Sequence, residues 1–298
     1  MLAPFRFHEP RTLGEASEVL LAHGSEAAVY AGGTELLVAM KQGVLRYRHL
    51  VNIKRVGADR ITYNAGTHRV AIGATATHRA VERDAEVRSR VPLLADVEAR
   101  VANVRVRTVG TIGGNLCFAE PRSDVATVLL LHDATVVLTS RAGSRTMPLA
   151  SFLVDGYTTD LQPGELLETV LVPALPAEAG AAYLKVAFYE RPTAGVGVVL
   201  VGNPGGDRIV EARVAVGCVG PTPIRVAEAE RAFGGAPLRG GRFSAACAAA
   251  AAALAGRCAP VDDLYGSASY KRHLTGVLMR RAAEQARARL IGREQERE

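Results

Sequence analysis

The sequence predicts an α+β protein with mixed α/β character in its first half, built as two domains. Three observations predict it. Residues 1–176 alternate short apolar runs of strand length with segments of helical period. Two glycine-dense stretches, Gly32-Gly33 and 110–115, interrupt that alternation at turns. From 177 to 298 the order becomes three strand-like runs followed by three helical ones, the pattern of a small antiparallel sheet packed by helices. The full 298 residues suffice for two cores. Pro173 and Pro176 mark the linker, 175–180, between a domain 1–176 and a domain 177–298. The first domain divides further at about 57/58.

The elements follow in order. Thr12 and Glu15 form a capping box for a helix whose apolar face is Ala16, Val19 and Leu20 and which stops at Gly24. A strand at 27–31 leads through Gly32-Gly33 into a helix over 34–42, ended by Gly43. A strand follows at 49–53, then a hairpin turning at 64–67 into a strand at 70–73. Thr77 caps a helix from His78, and another helix covers 93–101. After the glycine loop 110–115, the spacing predicts a helix over 124–131 with Asp124 as its cap, then strands at 135–139, 145–148 and 166–172. The second domain reads as strands 182–188, 195–201 and 208–219, and helices 224–233, 243–255 and 267–288, with a charged, frayed tail over 293–298.

Composition removes several function classes. The net charge is +6, but only four of 36 basic residues are Lys and the Arg residues are scattered. A nucleic-acid footprint would cluster and carry stacking aromatics; Trp is absent. The four cysteines, Cys117, Cys218, Cys247 and Cys258, lack C-x-x-C spacing, so neither an iron–sulfur cluster nor a zinc ribbon is expected. They read as small buried apolar residues of a reducing, cytoplasmic compartment. The N-terminus has no apolar signal segment, and the Ala-rich run at 245–255 is too short for a membrane span. The seven histidines are dispersed and no H-E-x-x-H occurs, so no metal site is expected. Ser144, Ser151 and Ser267 lack a G-x-S-x-G context. Asp262-Asp263 reads as a solvated cap, and the basic residues Lys271, Arg272, Arg280 and Arg281 as a solvated helix face or a meeting point for a partner.

Two segments can carry chemistry. Ala31-Gly32-Gly33-Thr34-Glu35-Leu36 joins a strand to a helix, where a backbone free of Cβ atoms can approach a phosphate or pyrophosphate. Taken alone, it reads more simply as a tight turn that binds nothing. Gly110-Thr111-Ile112-Gly113-Gly114-Asn115 is the second, and Asp124 stands nine residues after Asn115. Asp124 alone is best read as a cap; as a functional group it would accept from a sugar hydroxyl. Two such segments in one domain raise the case for a bound dinucleotide. Neither is G-x-G-x-x-G or G-x-x-x-x-G-K-[ST], which disfavours a Rossmann site and a P-loop.

Val29-Tyr30-Ala31-Gly32-Gly33-Thr34-Glu35-Leu36, then Thr111-Ile112-Gly113-Gly114-Asn115, then Asp124, resembles the FAD-binding subunit of the xanthine dehydrogenase and carbon monoxide dehydrogenase (molybdenum hydroxylase) family. The resemblance extends from Phe5-Arg6-Phe7-His8-Glu9-Pro10, through Pro163-Gly164-Glu165-Leu166-Leu167, to Gly266-Ser267-Ala268-Ser269-Tyr270-Lys271. It implies a two-subdomain FAD-binding domain of the vanillyl-alcohol-oxidase/molybdenum-hydroxylase type and a covering C-terminal domain. It also implies that Val29, Tyr30, Ala31, Gly32, Gly33, Thr34, Glu35 and Leu36 wrap the FAD pyrophosphate, mainly through backbone N–H groups. Thr111, Ile112, Gly113, Gly114 and Asn115 would hold its other side. Asp124 would bind a ribose-type hydroxyl, Leu167 would pack near the ring, and Lys185 would lie beside the flavin, favouring its anionic reduced form. Where relatives often show Lys-x-x-x-Arg, Lys185 is followed by Tyr189, and Arg191 stands where some carry an aromatic over the flavin. Covalent attachment would need a residue such as Cys117, which reads as structural. The implied partners are a large molybdenum-cofactor subunit and a small [2Fe-2S] subunit in a dimer of heterotrimers, with NAD, a quinone or oxygen as acceptor. The alternatives are a stand-alone flavin oxidase or reductase, and a non-catalytic dinucleotide-binding protein.

Overall fold

The computed structural model describes residues 2–187 and 191–295, with side chains to residue 292; Tyr189, singled out above, lies outside them. The chain packs as two compact units. One comprises the residues up to Glu120 with Asp133–Ala174, the other Pro121–His132 with the residues from Leu175 onward. Among the described residues, no helix is long and apolar enough to cross a membrane.

In the first unit, β1 (Arg6–His8), β2 (Ala27–Tyr30) and β3 (His49–Asn52) form a parallel sheet in the order β1-β3-β2. Parallel strands need crossovers, supplied by α1 (Leu13–His23) and α2 (Leu36–Lys41). Thr12 caps α1 by accepting from the Glu15 amide, while the Glu15 carboxylate reaches back to the Arg11 amide rather than to that of Thr12. Ala16 of α1 packs with Ala31, Val51, Ile53 and Leu166 in one apolar cluster.

The rest of this unit is a five-stranded antiparallel sheet. A hairpin of β4 (Ile61–Asn64) and β5 (Arg69–Gly73) opens it, with the Asn64 carboxamide accepting from the Thr67 amide in the turn. Short helices follow: α3 (His78–Arg83), α4 (Ala85–Arg90), α5 (Pro92–Glu98), α6 (Val104–Arg107) and α7 (Ile112–Phe118). Of these the sequence reading placed only α3 and α5. Asp84 ends α3 in an extended backbone and caps α4 with its carboxylate, so one residue both stops and restarts the helix. The stretch 110–115 is not a loop throughout: Thr111 caps α7, and Gly113 and Gly114 are helical. Gly113 is there for close packing, since a Cβ on it would stand 2.6 Å from the Ala74 carbonyl oxygen.

The next helix, α8 (Asp124–Leu131), belongs to the second unit. The chain then returns to the first with β6 (Thr135–Ser140), β7 (Gly143–Pro148), α9 (Leu149–Phe152), a small hairpin of β8 (Leu153–Asp155) and β9 (Thr158–Thr159), and β10 (Leu166–Pro173). The sheet order is β4-β5-β10-β6-β7. Pro163 and Gly164, the latter at φ +78°, turn the chain before β10, closed by the Glu165 amide on the Gln162 carbonyl.

Arg145 on β7 fastens this turn. Its guanidinium holds both Glu165 carboxylate oxygens, at 2.7 and 2.8 Å, and reaches the Asp160 carboxylate at 2.9 Å. The pair with Arg145 holds the Glu165 carboxyl below its ordinary value of 4.5. A depressed carboxyl stabilises the fold above its unfolded pKa and loses that contribution as pH falls through the folded value. Arg145→Met is therefore expected to lower stability at neutral pH, because Glu165 and Asp160 lose the guanidinium that pairs them. The gap to wild type should narrow as pH falls below about 4.5 in denaturation curves taken across pH.

The second unit is a four-stranded antiparallel sheet, β11 (Ala179–Val186), β12 (Ala194–Gly202), β13 (Ile209–Gly217) and β14 (Ile224–Arg225), in that order. Three helices complete it: α10 (Ala227–Arg231), α11 (Gly241–Arg257) and α12 (Ala268–Gln295). The expected helix at 224–233 is thus split, because Ile224 and Arg225 first pair with β13. Every residue of β12 is buried, and small residues explain how. On one face Ala182, Val196, Val198 and Leu200 pack with Leu278, Ala282, Ala286 and Leu290 of α12. On the other, Cβ atoms on Gly197 and Gly217 would stand 2.4 Å from Leu131 and 2.1 Å from Thr127, so α8 lies directly against the strands.

Two surface readings need correction. Asp263 is not a solvated cap: its carboxylate is an ion-pair node, held by Arg122 at 2.7 Å and by Lys271 at 2.5 Å. Lys271 is correspondingly buried rather than on a solvated face.

Candidate cofactor-binding site

The two glycine segments meet in the first unit. Gly32 lies against the second segment so closely that a Cβ would stand 2.4 Å from the Val109 carbonyl oxygen and 2.6 Å from Gly110 Cα. Gly33 takes φ +71°, and a Cβ there would stand 2.4 Å from the Tyr30 ring. The first segment therefore needs glycine for two different reasons, close approach at 32 and backbone conformation at 33.

Together they border a cavity of about 360 Å³. Val29 and every residue from Ala31 through Leu36 line it, as do Thr111, Gly114 and Asn115. Tyr30, Ile112, Gly113 and Leu167 do not. Tyr30 instead points at Lys54, whose ammonium sits 4.6 Å from the ring centroid, and Leu167 is buried in β10. Asp124 and Lys185 belong to the second unit.

The two segments offer different groups. Among the described residues, the amides of Gly32, Gly33 and Thr34 have no hydrogen-bond partner. By contrast, Ile112 donates to Ala76 O, Gly113 to Ala74 O and Gly114 to the Thr111 hydroxyl. The second segment can thus present side chains, Thr111 and Asn115, and glycine-bare backbone, while the first presents unpaired amides. An anionic group fits the first segment, since unpaired amides in a concavity bind anions and a Cβ would fill the space.

The cavity also includes residues that the sequence reading did not single out. His78 is 3% exposed and Glu98 fully buried, and the His78 Nδ1 lies 2.6 Å from a Glu98 carboxylate oxygen. The other His78 nitrogen has no hydrogen-bond partner among the described residues, and the ring stands beside Gly110. Thr77 as helix cap was legible; the carboxylate that orients His78 comes from 20 residues downstream, which no local pattern shows. Cys117 also lines the cavity, and burial pushes its thiol up to about 12, so it stays protonated and is a poor nucleophile.

In the second unit, Asp124 is the first residue of α8, and the cap expected of it is Ser123, whose hydroxyl accepts from the Ala126 amide. One Asp124 carboxylate oxygen accepts from the Tyr183 hydroxyl and the other from the Lys185 ammonium. Tyr183 and Lys185 alternate along β11 on its α8-facing side, opposite Gly197 and Gly195. A Cβ on Gly195 would stand 2.1 Å from the Tyr183 hydroxyl, so that glycine makes room for the phenol.

Residues 3–175 match the family described as FAD binding domain in molybdopterin dehydrogenase. Residues 189–286 match the CO dehydrogenase flavoprotein C-terminal domain. The chain is 34% identical over 292 residues to the carbon monoxide dehydrogenase medium chain of Hydrogenophaga pseudoflava, covering 97% of this chain and 99% of that one. It is 31% identical over 234 residues to a putative xanthine dehydrogenase FAD-binding subunit of Escherichia coli strain K12, covering 78% and 80%. Among solved structures, carbon monoxide dehydrogenase from H. pseudoflava superposes with a TM-score of 0.91 over 97% of this chain and 99% of that one, at 34% identity. Quinoline 2-oxidoreductase from Pseudomonas putida 86 gives 0.89 over 97% and 98%, at 27% identity. Matched from end to end in sequence and fold, the chain belongs to the molybdenum hydroxylase family as an FAD-binding oxidoreductase subunit of the carbon monoxide and xanthine dehydrogenase type.

Proposed function

We propose that this chain is the electron-transfer subunit of a molybdenum hydroxylase complex. It takes electrons from the [2Fe-2S] clusters of a small partner chain and passes them to NAD, a quinone or oxygen. A large partner chain holds the molybdenum cofactor and oxidises the substrate, in a dimer of heterotrimers. The observation that carries the reading is the cavity whose wall is a glycine segment with three unpaired amides. Those amides hold the FAD diphosphate, Thr111 and Asn115 add side-chain hydrogen bonds, and His78, braced by Glu98, lines the cavity beside them. Bound FAD supplies a ring system that accepts and releases electrons singly or in pairs. The four cysteines of this chain are half of the eight that two [2Fe-2S] clusters need, which suits clusters held elsewhere.

Purification of the native protein, followed by identification of the chains that accompany it, tests the assignment. A molybdenum-containing large chain and a small chain with [2Fe-2S] absorbance are expected. A homogeneous native preparation of this chain alone, reduced directly by an organic substrate, would contradict it.

Asp124 has a second part to play in this reading. A carboxylate has about four lone-pair sites, so it can hold Tyr183 and Lys185 and still accept from a ribose hydroxyl. Asp124→Ala should lower stability by roughly 3 kcal/mol, the cost of leaving a partly buried ammonium without its partner. It should also weaken FAD binding by about 1–3 kcal/mol. Flavin titration and thermal unfolding separate the two, and an unchanged FAD affinity removes Asp124 from the site.

A further inference from the structure

The seven histidines look dispersed along the chain, yet three of them converge in space. His8 ends β1, His49 opens β3 and His23 is the last residue of α1. In the parallel pairing of β1 with β3, Arg6 stands beside His49 and His8 beside Val51. His8 and His49 are therefore diagonal neighbours on one face of the sheet. Helix α1 crosses β3 and delivers His23 to the same place. One ring nitrogen from each histidine lies within 4.8 Å of the other two. His8 Nε2 and His49 Nδ1 are 2.9 Å apart, and the His23 ring stacks on His49 with centroids 3.6 Å apart. All three side chains are half-buried, so they are held by packing but remain open to solvent.

We infer that His8, His23 and His49 form a binding site for one divalent transition-metal ion of the zinc, cobalt or nickel class. Imidazole nitrogens suit these borderline ions, whose bonds are about 2.0–2.1 Å long. Such bonds at tetrahedral angles place ligand nitrogens roughly 3.3 Å apart. The His8–His49 contact is slightly closer than that, and the third nitrogen is within a side-chain rotation of it. Rotation of His23 off its stack is the main adjustment, open to a half-exposed residue at a helix end. Three neutral histidines leave a fourth position for water. The ion takes the place of the proton between His8 Nε2 and His49 Nδ1, and the ring that carried it holds that proton on its other nitrogen instead. The ion thereby ties the end of α1 to two strands of the parallel sheet, one of which, β3, already packs with α1 in the small apolar cluster around Ala16.

None of the three histidines lines the cavity, so this site stands independently of the flavin reading. The test uses the untagged full chain, stripped with a chelator and titrated with Co²⁺ and with Zn²⁺. One Co²⁺ per chain with visible d–d absorbance is expected, together with a rise in thermal midpoint on adding Zn²⁺. His23→Ala and His8→Ala should each lower the affinity at least tenfold, no less than the effect of losing an outer-shell partner. Both should abolish the Zn²⁺-dependent rise while leaving bound FAD in place. Should His8→Ala fail to fold, His23→Ala and His23→Gln, at the solvent-facing helix end, carry the test. No binding below millimolar Co²⁺ would overturn the inference, as would wild-type affinity in both His23 variants.

Discussion

Gly32→Val is expected to abolish FAD binding. A Cβ at this position would stand 2.4 Å from the Val109 carbonyl oxygen and 2.6 Å from Gly110 Cα, and backbone cannot step aside as a side-chain end can. The two glycine segments must part, and the unpaired amides of Gly32, Gly33 and Thr34 turn away from a common ligand. Two lost hydrogen bonds to a charged group are worth roughly 3–6 kcal/mol, more than a hundredfold in affinity. Gly33→Val acts through its φ of +71° as well as through Tyr30. Gly114→Val should do less, because its nearest obstacle at 2.9 Å is the rotatable Thr111 hydroxyl. Flavin content of the purified variants, with circular dichroism as the check on folding, orders the three. Full FAD occupancy in a folded Gly32→Val protein would remove the cradle from the account.

The second large effect concerns stability. Gly180→Val should destabilise the second unit by about 3 kcal/mol or more, at the upper end of overpacking because the obstacle is main chain. A Cβ on Gly180 would stand 2.0 Å from the Ala286 carbonyl oxygen and 2.7 Å from the Leu290 amide nitrogen. That contact is where α12 lies directly on β11, and α12 supplies Leu278, Ala282, Ala286 and Leu290 to the core. Gly202→Ala is the control, since its Cβ would meet Leu290 and Leu238 methyl groups at ordinary distances of 3.5 to 3.7 Å. Chemical denaturation should show a lowered midpoint for Gly180→Val and little change for Gly202→Ala.

Much of this architecture was legible because its signals are local. Thr12 and Thr77 announce helix starts through their own hydroxyls, and Gly24 and Gly43, both at positive φ, announce helix ends. The apolar run of β12 reads as a strand because both of its faces are covered. What escaped depends on distant chain. The residues at 110–115 looked like a loop because Gly113 and Gly114 are poor helix formers. Tertiary contact with Ala74 outweighs that propensity and needs the small residue. Ile224 and Arg225 read as helix until β13 is available to pair with them. In the site, the first glycine segment was readable as a place for an anion. That the amides of the second are already taken by Ala74, Ala76 and Thr111 was not. The His78–Glu98 pair and the three converging histidines escaped for the same reason: their members sit on different elements. Asp124 was singled out in the sequence, but its partners Tyr183 and Lys185 lie 59 and 61 residues away.

The central claim is that the unpaired amides of the first glycine segment hold a diphosphate. Equilibrium titration of the deflavinated native protein with FAD and with riboflavin tests it most directly: the two share the ring, FAD adds the diphosphate and an adenosine, and competition by free adenosine shows how much of the difference the adenosine carries. The account predicts one non-covalent FAD per chain, with riboflavin binding at least about a hundredfold more weakly, the worth of two charge-assisted hydrogen bonds. Equal affinities for the two flavins would contradict it.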